Sequence, residues 1–342
     1  MNPIITRPTT SAIAAPGGFF ALFDSFMDYT SVRDTTLQSY RVYLLHFAKW
    51  INDNGITQPG RNDIKAYKQH LDEYVSPKTG KPLSAGTRAQ YLRACKHFFK
   101  WTAAEGLYPN IADNIKGVKL TIHNRHKDAL CAEDIKHILS TIDTRYTAGK
   151  RDYLLFLLAV TGALRIIELQ RVNIEDIKTI AGEKVLFIQG KGRDEKDEYK
   201  KLPDGVISAL DDYLATRPNA KKGEPLFIGT SNRAQNQRIT EPSISRIIKN
   251  ILRNAGYDSD RLTAHSLRHT GITLLLEAGA TLQEAQYFAR HADPKTTEIY
   301  AHNIDRAKDK SEQIIYNQIF APEAPITTKE GVTEWRIENP RN

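Results

Sequence analysis

The sequence predicts two domains of different class. A small all-α domain of four helices comes first, and a mixed α+β domain, mainly helical with a small antiparallel sheet, follows. Three observations carry this. Apolar residues recur at helical spacing through residues 18–105. A hairpin signal interrupts a second, longer run of helical patterns beyond residue 130. Finally, 342 residues suit two domains of ~100–200 residues each.

Residues 1–17, rich in Pro, Thr, Ala and Gly, read as a loose tail. Phe19, Phe20, Phe23, Phe26 and Met27 then predict a first helix, and Leu37, Tyr40, Leu44, Phe47 and Ile51 a second. Ile64, Tyr67, Leu71 and Tyr74 predict a third. Asn54-Gly55 and Gln58-Pro59-Gly60 punctuate the gaps. Ser84 is a good N-cap for a fourth helix running to about Glu105. Residues 117–130 are basic, show no clear period and read as an interdomain linker. The second domain, residues 131–320, opens with a helix near Ala132–Ile142 and an apolar one across Tyr153–Val160. Strands are expected at Lys184–Gln189 and Tyr199–Leu202, joined by a charged loop through Gly190-Lys191-Gly192. Helices fit Asp204–Thr216, Ser243–Ala255, His265–Ala278, Leu282–Arg290 and Ile304–Phe320. In the tail 321–342, a short strand is expected at Val332–Ile337.

Composition excludes several classes. Hydrophobic residues at 40% exclude a disordered chain, and two cysteines exclude a disulfide framework. No apolar run approaches the ~20 residues of a membrane span, and no secretory signal is evident, so the cytosol is expected. The net charge is +8, of which +6 falls on residues 1–120. Lys78, Lys81, Arg88, Arg93, Lys96 and Lys100 lie between Glu73 and Glu105 with no acid among them. On the fourth helix, Leu92, Cys95 and Phe99 share one face, while Arg93, Lys96 and Lys100 fall on another. Such a helix can bury one side and lay the other along a phosphate backbone. A merely solvated basic face is the plain alternative.

The densest chemical constellation is His265, Arg268 and His269, then His291, then Tyr300. His265 and Arg268 are three apart and share a helical face. Two imidazoles, a guanidinium and a phenol can converge there on one anion.

His265-Ser-Leu-Arg268-His269-Thr270, with His291 placed 23 residues after Arg268 and Tyr300 nine later, closely resembles the C-terminal signature of the tyrosine recombinases, or phage integrase family. Thr296-Thr297-Glu298-Ile299-Tyr300-Ala301-His302 matches that family's T-T-x-x-Y-x-H. Thr161 to Leu169 resembles T-G-x-R-x-x-E-L, and Gly190-Lys191-Gly192 resembles its G-K-G hairpin. The resemblance covers residues 18–320. It implies that residues 18–116 form a four-helix, SAM-like core-binding domain, and that both domains clamp a duplex.

The implied chemistry is attack of Tyr300 on a DNA phosphodiester, giving a 3′-phosphotyrosyl link and a free 5′-hydroxyl. Arg165 and Arg268 would clamp the non-bridging oxygens with planar, permanently charged forks. Lys191 would protonate the leaving oxygen, His265 would take the Tyr300 proton, and His291 would bond the phosphate. His269 and His302 are expected either to support the catalytic side chains from behind or to be structural, and Lys196 and Lys200 share the hairpin with Lys191. No metal and no cofactor are implied. The implied partners are double-stranded DNA with inverted-repeat core sites, a homotetramer on that DNA, and accessory DNA-bending proteins. With only 17 residues before the first helix, the compact two-domain type, as in Xer, integron or transposon recombinases, is expected. Integration or excision of a mobile element is the leading role; dimer resolution, a type IB topoisomerase and a non-catalytic DNA-binding protein are the alternatives.

Three departures from the family pattern stand out. Ala163 and Leu164 separate Gly162 from Arg165, one residue more than the common form. Ile167 replaces a small residue. Ala289-Arg290-His291 replaces L-G-H, so a turn-permitting Gly is missing.

Overall fold

The computed structural model describes residues 18–119, 129–190, 192–230 and 235–320. Contacts divide the chain into two compact units, Met1–Arg125 and His126–Asn342, each with its own apolar core.

Four helices build the first unit: α1 (Gly18–Tyr29), α2 (Asp34–Asp53), α3 (Arg61–Glu73) and α4 (Ala85–Ala104). Their ends are chemically specified. Ser84 Oγ accepts the Thr87 amide at 3.1 Å, as an N-cap should. At α3, the Asp63 carboxylate accepts the Gly60 amide at 2.7 Å. Phe23 and Phe26, Leu44 and Phe47, Ile64 and Tyr67, and Leu92, Cys95 and Phe99 are all buried, as their periodicity required. Phe98 joins them, edge-on to Phe23 at 5.0 Å and to Phe26 at 5.6 Å. Buried Tyr67 keeps its hydroxyl bonded, 2.8 Å from His46 Nδ1.

The far side of α4 carries the cations. Arg93 and Lys100 are exposed there, and Lys78 and Lys81 are exposed in the α3–α4 connection. Two members of the set are engaged within the unit. Arg88 pairs with Asp72, and the Lys96 ammonium donates to the Ile115 carbonyl.

The second unit opens with α5 (Ala132–Ser140) and α6 (Thr147–Thr161). Leu154, Leu155, Phe156 and Leu158 of α6 are all buried, which explains why this helix reads as apolar all round. A short α7 (Ile166–Arg171) follows, then β1 (Ile177–Ile180), β2 (Glu183–Ile188) and β3 (Glu198–Lys201) in an antiparallel sheet of order β1-β2-β3. The expected hairpin is β2–β3, with Val185 opposite Lys201 and Ile188 opposite Glu198. Strand β1 was not read from the sequence. It pairs Ile180 with Glu183 across Ala181-Gly182, both at positive φ (50° and 84°), the two-residue turn that matches strand twist.

The remaining helices are α8 (Asp204–Leu214), α9 (Glu241–Asn254), α10 (Ala264–Glu277), α11 (Leu282–Ala289), α12 (Lys295–Lys308) and α13 (Ser311–Phe320). The single helix expected over Ile304–Phe320 is corrected to parts of two. Asp309 leaves the helical region at ψ 131°, and its carboxylate accepts the Ser311 amide at 3.0 Å, capping α13 anew. The strand expected at Val332–Ile337 and most of the linker lie outside the described residues. Among the described residues no helix is long and apolar enough to cross a membrane.

Helix α10 packs on α6 at a contact that only a glycine allows. A Cβ on Gly271 would sit 2.2 Å from the Val160 carbonyl oxygen. Gly271→Ala is therefore expected to destabilise the second unit by about 1–3 kcal/mol, read as a lower urea midpoint. An unchanged midpoint would mean that α6 and α10 can part without cost.

Candidate active site

The site is assembled from the ends of four helices in the second unit. At the C-terminus of α6 the chain turns through Gly162, Ala163 and Leu164 to Arg165, which caps α7. Ala163 is buried and takes a left-handed φ of 47°. Three residues into α7, the Glu168 carboxylate accepts the Arg165 amide at 2.8 Å and the Arg165 guanidinium at 2.9 Å. Arg165 and Glu168 thus form an ion pair, and the Glu168 side chain is fully buried. A surface pair would leave it wet.

Helix α10 supplies Arg268, which is 1% exposed. Its two terminal nitrogens donate to the carbonyls of Ala163 and Ala289. These carbonyls adjoin two of the three departures from the family pattern. Ala163 is itself the left-handed residue of the lengthened first turn, and Ala289 precedes Arg290, which occupies the usual Gly position with φ 54°. Arg290 is held by two carboxylates, Glu168 at 2.5 Å and Glu198 at 3.1 Å. Its contacts are therefore to protein carboxylates. Burial, then neighbouring Arg165, lowers the Arg268 pKa to about 10, so it stays charged at neutral pH.

His291 follows Arg290, its amide donating to Gln286 at 3.1 Å. Its Nδ1 lies 2.9 Å from the buried Thr297 hydroxyl of α12, which fixes the ring and leaves Nε2 as the other polar atom. Burial and the neighbouring guanidiniums push its pKa down to about 4. One helical turn on, Tyr300 is 9% exposed, and its ring stacks near His291 with centroids 6.2 Å apart. Burial raises the phenol pKa to about 12 against the pull of Arg268 and Arg165.

The structure brings Arg165, Arg268, His291 and Tyr300 together. Tyr300 hydroxyl is hydrogen-bonded to His269 Nδ1, and the exposed His265 ring lies edge-on to His269 at 4.5 Å. Lys191 lies outside the described residues, and so does the side chain of His302. Lys196 is tied to Asp176 at 2.5 Å. Lys200 reaches the site, donating to the Phe288 carbonyl and lying 4.2 Å over the Phe288 ring. Burial, then Arg290 and Arg268, lowers its pKa to about 7. A cavity of about 920 Å³ opens beside Arg193, Tyr199, Lys200, Tyr287, Arg290 and His291. The guanidiniums of Arg165, Arg268 and Arg290 outnumber the two carboxylates, Glu168 and Glu198, so the centre suits an anion. Among the described residues no His/Cys/Asp/Glu group could hold a metal ion.

The sequence assigns neither Glu168 nor His269 to this centre, offers Lys200 only as a hairpin alternative to Lys191, and suggests for Arg290 a phosphate contact where the structure shows two carboxylates. The signal for Glu168 was its place three residues after a cap. Arg290 was flagged as a missing Gly. Nothing in the spacing separated His269 from His265.

Residues 128–306 match the Phage integrase family, and residues 19–107 match its N-terminal SAM-like domain. Tyrosine recombinase XerC of Caldanaerobacter subterraneus subsp. tengcongensis is 30% identical over 247 residues, covering 71% of this chain and 65%, just under two thirds, of that protein. Tyrosine recombinase XerD of Listeria innocua is 27% identical over 314 residues, covering 89% of this chain and 99% of that one. In structure, the chain is similar to XerH site-specific recombinase bound to palindromic difH substrate in a post-cleavage complex. That likeness has a TM-score of 0.66 at 24% identity, covering 82% of this chain and 80% of that one, and it speaks for the fold.

Two outcomes test the site's electrostatics. Glu168→Gln removes the charge shared by Arg165 and Arg290, and a loss of about 3–5 kcal/mol in unfolding free energy is expected by urea titration. A near-neutral result would mean the guanidiniums do not need their carboxylate. For His291, the folded pKa lies below the ordinary 6.5, so the unfolded chain takes up its proton first as pH falls. The stabilising contribution is full above 6.5 and is lost toward pH 4. Its imidazole NMR signals should therefore titrate near 4; a midpoint near 6.5 would contradict the burial.

Proposed function

The chain belongs to the phage integrase family and is a tyrosine recombinase, and from that premise we propose that it cuts and rejoins double-stranded DNA at a specific core site through a 3′-phosphotyrosyl link to Tyr300. The observation that carries this is the meeting of Arg165, Arg268, His291 and Tyr300 in one cation-rich centre, drawn from positions 165 to 300 of the chain. Arg268 and Arg165 stabilise the charge that develops on the non-bridging oxygens. His291 donates to the same phosphate through Nε2, which suits a ring whose Nδ1 is already fixed. Lys191, by resemblance, supplies the proton to the leaving 5′-oxygen; Lys200 is the other hairpin lysine near enough to serve. The phosphotyrosine conserves the bond energy, so rejoining requires no nucleotide cofactor.

Affinity for DNA is assigned to the first unit, through exposed Lys78, Lys81, Arg93 and Lys100. Arg88 and Lys96 contribute chiefly to holding that unit together. A homotetramer on DNA is supported by α13, where Ile314, Ile315, Tyr316, Ile319 and Phe320 are each more than half exposed. Likeness to proteins named XerC and XerD favours resolution of chromosome or plasmid dimers over integration of a mobile element, in the cytoplasm where such DNA lies.

A randomised substrate tests this for any target sequence. A pool of nicked duplexes with a randomised core is incubated with the full chain, and detergent-stable adducts are sequenced. The captured duplexes should converge on inverted repeats. Tyr300→Phe should bind the captured duplex yet give no adduct, and Arg268→Ala should slow adduct formation by ~10²–10³-fold. An adduct that persists in Tyr300→Phe would overturn the reading, and capture without sequence preference would favour a topoisomerase.

A further inference from the structure

The proton of Tyr300 must go somewhere before the phenol can attack, and the structure offers a recipient that the signature does not name. The Tyr300 hydroxyl is hydrogen-bonded to His269 Nδ1, with ring centroids 5.0 Å apart. We propose that His269, rather than His265, accepts the Tyr300 proton during cleavage and returns it during rejoining. This rests on the reading above that Tyr300 is the nucleophile.

Three features place His269 in that role. First, it contacts the reacting oxygen itself. Second, its neighbours along α10 are pinned on both sides, so the ring is presented from a fixed stretch of helix. Arg268 is anchored by two carbonyls, and the Thr270 hydroxyl accepts the Leu130 amide at 3.1 Å. Third, the other imidazole beside Tyr300 is occupied and weakly basic. His291 Nδ1 faces Thr297, and burial with Arg268 and Arg165 holds that ring neutral well below pH 6. His265 is four residues before His269 on the same helical face, exposed and edge-on at 4.5 Å. That position suits a donor to the phosphate, or a relay from His269 to solvent.

The step balances without further reagents. Neutral His269 takes the hydroxyl proton on Nδ1. The phenolate pair forms the O–P bond, and the P–O5′ bond breaks. The 5′-oxygen takes its proton from the hairpin lysine. In rejoining, the hairpin lysine takes back the proton of the 5′-hydroxyl as its oxygen attacks phosphorus, the tyrosyl O–P bond breaks, and His269 returns its proton to the leaving phenolate.

The test uses the full chain and the nicked duplex captured by the wild-type protein. His269→Ala should bind that duplex with unchanged affinity and form adduct ~10²–10⁴-fold more slowly. Added imidazole should restore part of the lost rate in a concentration-dependent manner, as it can enter the space left by the ring. His269→Asn supplies an acceptor oxygen near the Nδ1 position but cannot hold a proton, so it should also be slow; it further covers the case in which the alanine variant fails to fold. Wild-type rates in either variant, or a slow alanine variant indifferent to imidazole, would overturn the proposal. Tyr300→Phe separates the two readings: an adduct there defeats the nucleophile assignment itself, whatever His269 does.

Discussion

A single buried carboxylate governs this centre. Arg165 and Arg290 carry like charges into a poorly solvated region, where their mutual repulsion is larger than in water. Glu168 takes both, with its own side chain wholly out of solvent. One oxygen accepts the Arg165 guanidinium, and the other accepts both the Arg165 amide and Arg290. Glu168 therefore locks α7 to the turn after α11, and through Arg290 and Glu198 it extends the lock to β3. Arg268 is treated differently. Its described hydrogen bonds go to two carbonyl oxygens, which orient the fork without neutralising it.

This arrangement gives physical sense to two of the three departures in the sequence. Left-handed backbone at a non-glycine residue costs ~1–2 kcal/mol. Ala163 and Arg290 both adopt it, at 47° and 54°. Each adjoins or supplies a carbonyl that receives Arg268. The extra residue before Arg165 turns its own carbonyl toward Arg268. At the second position a glycine would remove the strain, but it would also remove the guanidinium that spans Glu168 and Glu198. The strain at Arg290 is offset by two ion pairs that glycine could not make.

Most helices of both units were legible because each buries a stripe against a core, and the 3.6-residue period survives in the sequence; the six-residue α7 and the first half of α12 were not, and α13 buries no residue. Arg165, Arg268, His291 and Tyr300 were legible only as a set, since each alone reads as an ordinary surface or packing residue. What escaped had local causes. Strand β1 is four residues long, with three exposed, so no alternation marks it. The break between α12 and α13 hangs on one Asp309 cap inside an otherwise continuous helical pattern. The partnership of His269 with Tyr300 depends on which side of α10 meets α12. Two histidines four residues apart on one helix face carry the same sequence signal, and only packing distinguishes them.

Packing also decides what the nucleophile requires. With its pKa near 12, ionising Tyr300 at neutral pH would cost about 7 kcal/mol before any bond forms. Arg268 and Arg165 already lower that value from where burial alone would set it. When a phosphodiester binds between the same guanidiniums, its negative charge offsets their pull on the phenolate. The cations that stabilise the transition state are then less able to help ionise the attacking group. Charge stabilisation and nucleophile activation compete for the same two arginines, and a site built this way needs a neutral base at the hydroxyl. The imidazole bonded to that hydroxyl is placed to meet the need, taking the proton as the phenolate forms.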